Sequence, residues 1–127
     1  MNPFGISNKS YQLIVSALSK YSEIEEVVIF GSRAKGNFKT ASDIDLAIKG
    51  KDCSELLAMK INAYVNEELP VPYYVDIIDY NELSNKNLKE HIDRVGRIFF
   101  KVSPEYIVNE PGVEFKTKPD EASDNAE

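Results

Sequence analysis

Apolar residues along this chain change their spacing several times, and each change marks an element. Over residues 8 to 21, Tyr11, Ile14, Leu18 and Tyr21 recur at helical intervals with Ala17 beside them, which predicts an amphipathic helix. Glu26-Val-Val-Ile-Phe30 is a β-branched and aromatic run closed by Gly31, the pattern of a buried strand. Asp43-Ile-Asp-Leu-Ala-Ile48 then alternates. A strand over 43–49 puts Ile44, Leu46 and Ile48 on one face and Asp43, Asp45 and Ala47 on the other. Gly50-Lys51-Asp52 reads as a turn, and Asp52 or Ser54 caps a helix that runs to about Leu69. Leu57, Ile61, Tyr64 and Val65 form its buried stripe, and Pro70 and Pro72 stop it. A third strand is predicted over 73–79. Ser84 caps a last helix, with Leu88, Ile92 and Val95 facing inward and Gly96 ending it. Residues 98–102 can extend the sheet. This order of elements predicts an α/β (α+β) fold, a small sheet with helices packed against it.

The chain has 127 residues, enough for one domain over 1–102 and an extension over 103–127. Pro104, Pro111 and Pro119 interrupt the extension. Its last ten residues lack any aromatic or β-branched side chain and are expected to be disordered. Residues 107–115 carry enough apolar side chains for a hairpin around Pro111-Gly112, or for a strand given to a partner. The net charge of −6 disfavours a nucleic-acid partner, since such proteins show a basic face. No apolar segment approaches membrane-spanning length, and the N-terminus lacks a signal-peptide pattern, so a cytoplasmic location is expected. Cys53 is alone, which rules out an intrachain disulfide, and no His is near it in sequence, which points to an inert thiol.

Candidate chemistry concentrates between the first two strands. Gly31-Ser32 is followed by ten residues and then by Asp43-Ile-Asp45. A strand, a Gly-Ser turn and one helical turn over Ser32–Lys35 make an anion site, because N–H groups at such a turn have no internal partner. Arg33, Lys35 and Lys39 add positive charge, and Arg33 and Lys35 are the stronger phosphate contacts. Asp43 and Asp45 share a strand face and repel each other until a divalent cation intervenes, and Mg²⁺ prefers such oxygen ligands. A third carboxylate completes a site for two ions. Asp76, inside Tyr73-Tyr-Val-Asp-Ile-Ile78, is the first choice, and Asp79 at the strand's exit is the weaker one. His91 and the pair Tyr73 and Tyr74 read as packing residues.

With these residues the chain resembles the minimal nucleotidyltransferases, a small branch of the DNA polymerase β-like nucleotidyltransferase superfamily. The match rests on Gly31-Ser32, the ten-residue spacer, Asp43-x-Asp45, Val75-Asp76-Ile77, and the closing Leu88–Phe100 segment, and covers roughly residues 7 to 101. The resemblance implies a mixed sheet. It implies that Gly31 and Ser32 hold a triphosphate, that Asp43 and Asp45 bind two Mg²⁺ ions, and that Asp76 is the third ligand and the base for the acceptor. It further implies ATP as donor, AMP transfer to a hydroxyl, typically a tyrosine, and a helical HEPN-domain toxin as partner. Two alternatives stand beside that reading: a non-catalytic module that neutralises or scaffolds a partner by contact, and a small-molecule transferase similar to the enzymes that modify aminoglycosides.

Overall fold

A computed structural model describes residues 2–102. The expectations placed on 103–127 lie outside the described residues. The elements are α1 (Asn8–Leu18), β1 (Glu26–Phe30), α2 (Gly31–Lys35), β2 (Ile44–Lys49), α3 (Glu55–Glu68), β3 (Val75–Asp79), a 3₁₀ turn (Tyr80–Glu82), α4 (Lys86–Val95) and β4 (Arg97–Lys101). Their order is the one the hydrophobic pattern predicts. The sheet runs β3-β2-β1-β4. β1 is antiparallel to both β2 and β4, whereas β2 and β3 are parallel, so the sheet is mixed.

Strand alternation divides the interior into two layers. Val27, Ile29, Ile44, Leu46, Ile48, Val75 and Ile77 face the larger core, together with Ile14 and Leu18 of α1 and Leu57, Ile61 and Val65 of α3. Val28, Phe30 and Ala47 face a smaller cluster closed by Ile92 of α4, with Leu88, Val95 and Ile78 packed around it. One helix covers this second face incompletely. Asp45 and Asp76 belong to it by the same alternation, so both stand at the open part of a sheet whose other side is sealed.

Several boundaries differ from the sequence expectation, and β2 starts at Ile44 rather than residue 43. α1 ends at Leu18 rather than residue 21, because Lys20 and Tyr21 donate three residues back in a tightening turn. α4 is capped by Asn85, whose side chain accepts from the N–H groups of Asn87 and Leu88, rather than by Ser84. β3 starts at Val75, not Tyr73. Asn66 of α3 sets that start: its amide accepts from the Val75 N–H at 2.9 Å and donates to the Val75 carbonyl at 2.7 Å. The cap at Ser54, which accepts from the Leu57 N–H, is as expected. No helix among the described residues is long and apolar enough to cross a membrane.

Candidate functional site

Gly31 opens α2 with φ +75°, a conformation that costs little only without a side chain. A Cβ there would also collide with Oδ2 of Asp45. The turn and the acid are therefore in direct contact. Phe30, which precedes α2, offers no side-chain cap, so the first N–H groups of the helix are left for an outside acceptor. Gly36 ends the helix in the left-handed region, its N–H donating to the Ser32 carbonyl at 2.9 Å. Ser32 is half-buried, whereas Lys35 is exposed and makes no ion pair among the described residues.

Asp45 and Asp76 are register partners on the parallel strands β2 and β3. Adjacent strands lie about 4.8 Å apart, so the two carboxylates are neighbours on one face. Asp43 sits one residue before β2, exposed, on the same side as Asp45. Burial pushes the Asp45 carboxyl from 3.8 up to about 6, and the charges of Asp76 and Asp43 push it the same way. Asp45 thus touches the Gly31 turn with Asp76 beside it, and Asp43 is near enough for its charge to act on Asp45.

Two half-buried carboxylates and an exposed third, mutually repelling, are hard oxygen ligands of the kind a magnesium ion takes. Among the described residues, no three His, Cys, Asp or Glu side chains lie close enough to hold an ion by themselves. Magnesium does not require that: it commonly uses one or two carboxylates and completes its shell with water and substrate phosphates. The residues present fit that mode, and a cation there would relieve the repulsion that raises Asp45.

The structure corrects the expectation for Arg33. Its side chain is 1% exposed, which leaves nothing for a phosphate to reach. Nη1 donates to the carbonyls of Phe4 (2.9 Å) and Gly5 (3.3 Å), Nη2 to Thr40 (3.0 Å) and Ser42 (2.8 Å), and Nε again to Ser42 (3.2 Å). The rings of Phe38 and Tyr73 lie 5.0 and 4.9 Å from the guanidinium carbon. Arg33 therefore ties the loop between α2 and β2 to the N-terminal segment and fixes the carbonyl immediately before Asp43. Lys39 is exposed, its N–H donating to Ser42 Oγ.

Other expectations also shift. Tyr73 packs against the larger core as expected and also stacks on Arg33, whereas Tyr74 is 53% exposed and does not pack there. Asp79 lies on the face opposite Asp76, and its Oδ1 accepts from the Asn81 N–H at the 3₁₀ turn, so it does not join the acids. His91 is edge-on to Phe30, ring centroids 6.2 Å apart, in a packing role. Cys53 is buried, and burial together with nearby acids, Asp79 first, raises its thiol to about 11. Sequence reasoning missed Asn66. A polar amide near the end of a helix, nine residues before a strand, was its only signal.

Comparison with known proteins gives a consistent picture. The family model described as "Polymerase beta, Nucleotidyltransferase" matches residues 12–105. No curated protein matches the chain. Among solved structures, a toxin–antitoxin crystal structure with AMP-PNP is 19% identical, with 72% of this chain and 73% of that chain covered and a TM-score of 0.60. The toxin–antitoxin MntA-HepT is 16% identical, with 76% and 74% covered and a TM-score of 0.56. A complex of a tri-AMPylated Shewanella oneidensis HEPN toxin with an MNT antitoxin is 17% identical, with 74% and 71% covered and a TM-score of 0.56. At these identities the likeness is one of fold.

Proposed function

Because the chain belongs to the polymerase β nucleotidyltransferase family, we propose that it transfers AMP from ATP to a hydroxyl of a helical HEPN-type partner, a tyrosine in the first instance, and so acts as the antitoxin of a pair. The observation that supports this reading is the pairing of Asp45 with Asp76 against the Gly31 turn, with the charge of Asp43 acting on Asp45. The similar structures lend support from outside the chain: one holds AMP-PNP, and another an AMPylated HEPN toxin beside an MNT antitoxin.

In the proposed reaction the acceptor oxygen attacks the α-phosphorus in line. The bond from that phosphorus to the bridging oxygen breaks, pyrophosphate leaves, and the acceptor proton passes to Asp76. Gly31, Ser32 and the first N–H groups of α2 hold the departing phosphates, and exposed Lys35 adds charge beside them. Asp43, Asp45 and Asp76 are the residues that would hold the metal. Bound Mg²⁺ supplies charge neutralisation at the α-phosphate and the leaving group. Arg33 keeps Ser42, and with it Asp43, in place from behind.

The test is intact-mass analysis of a co-expressed HEPN partner. Added AMP on the partner, absent when Asp43→Asn/Asp45→Asn replaces the wild type, is the expected result. Equal modification by the folded double variant would overturn the assignment. A tight complex with no mass change would leave a contact-only antitoxin instead.

A further inference from the structure

One buried charge is unexplained by the site above. Asp79 is 4% exposed, and its Oδ2 has no hydrogen-bond partner among the described residues, although Oδ1 is engaged by Asn81. Burying a carboxylate oxygen without a donor is costly, so such a group signals a missing partner. Asp79 is part of the wall of a cleft of about 330 Å³ between α3, β3 and the turn leading to α4. Ala58, Ile77 and Leu83 supply apolar wall, Glu55 and Glu82 stand at its rim, and among the described residues no Lys, Arg or His lines it. The helix ends beside it do not satisfy Asp79, because Ser54 and Asn85 cap them with their own side chains.

The same cleft opens on the free edge of the sheet. β3 is the outermost strand. Ile44 N–H bonds to the Tyr74 carbonyl, so alternation turns the peptide groups of Val75, Ile77 and Asp79 away from β2. Asn66 occupies those of Val75, while Ile77 and Asp79 face the cleft. Met59, 62% exposed, joins this cleft to a second depression of about 330 Å³ that ends at exposed Tyr74.

We propose that this groove docks an extended segment of a partner protein, with one arginine of that segment seated against Asp79. Strand addition would satisfy the outward peptide groups of Ile77 and the Asp79 N–H, the Asp79 carbonyl being taken by the 3₁₀ turn. The apolar wall suits the aliphatic stem of an arginine, and its five donors, spread over a planar fork, reach more widely separated acceptors than the three donors of an ammonium. A bare metal ion is a poorer fit, since Ala58, Ile77 and Leu83 offer it only apolar wall beside Asp79. The groove follows the outer edge of β3, and Ala58, Ile77 and Asp79 in its wall lie on the face opposite Asp45 and Asp76.

The experiment titrates the protein with the peptide acetyl-Thr-Val-Arg-Val-Thr-amide and with its citrulline counterpart, followed by amide NMR shifts. The expected result is saturable change at Ile77, Asp79, Asn81 and Leu83, with the citrulline peptide at least tenfold weaker. Asp79→Asn keeps the Oδ1 acceptor and should weaken the arginine peptide by a similar factor. Glu82→Gln, on an exposed side chain, should weaken it severalfold and serves if the first variant fails to fold. Asp43→Asn/Asp45→Asn should bind as the wild type does. No saturable change, equal binding of the two peptides, or shifts centred on Asp43 and Asp45 would overturn the proposal.

Discussion

Replacing Asp45 by Asn should stabilise the metal-free protein, although it removes a residue central to the site. The Asp45 carboxyl is raised from 3.8 to about 6, first by burial and then by Asp76 and Asp43. The folded state therefore binds this proton more tightly than the unfolded state. Its favourable contribution is complete below pH 3.8 and is lost as the pH rises to about 6. At 1.36 kcal/mol per pH unit, the ceiling on that loss is about 3 kcal/mol. Asp45 is only half-buried, and screening by water lowers the expectation to about 1–1.5 kcal/mol. Asn keeps the shape and removes the charge, so the variant should exceed the wild type by about that much at pH 7.5. The gap should close on acidification to pH 4. Urea denaturation from pH 4 to 8 in the presence of a chelator measures it. Millimolar Mg²⁺ should then raise the wild type alone, because only the ionised cluster gains from the cation. A variant no more stable than the wild type at pH 7.5, or a gap that does not vary with pH, would refute the electrostatic account of this site.

Other substitutions separate anchoring from chemistry. Arg33→Lys cannot reach the carbonyls of Phe4, Gly5, Thr40 and Ser42 together, and should cost about 2–4 kcal/mol in chemical denaturation. An unchanged midpoint would show the strap to be dispensable. Gly31→Ala combines a positive φ with a collision at Asp45. It should cost about 1–3 kcal/mol and reduce AMP transfer at least tenfold, read by melting temperature and partner mass. Cys53, buried and with its thiol raised to about 11, should resist iodoacetamide at pH 8 until urea unfolds the chain. Rapid labelling of the native protein would contradict its placement.

The features legible in the sequence are those encoded over short spans. The two-residue period of β2 put Asp43 and Asp45 on one face and the isoleucines on the other, and Ser54 marked its helix start. The family resemblance supplied the mixed sheet, since a period of two does not state which strands pair or in which direction. Arg33 was misread because its surroundings come from three distant stretches, Phe4-Gly5, Phe38–Ser42 and Tyr73. In the linear sequence it looks like any basic loop residue. Asn66 escaped for the same reason, as its bonds to Val75 exist only once α3 has folded back on β3.

The guanidinium strap has a consequence for chain length. Arg33 lies directly after Gly31-Ser32, and Ser42, which it holds twice, lies directly before Asp43. The ten-residue interval is thus a ruler whose two ends are pinned to one buried cation. Insertions at its solvent-facing tip, around Gly36 and Asn37, can bulge outward with both ends still in register, whereas a deletion must tear one end loose. A natural or designed variant that lengthens this interval can keep its acids aligned, and one that shortens it cannot.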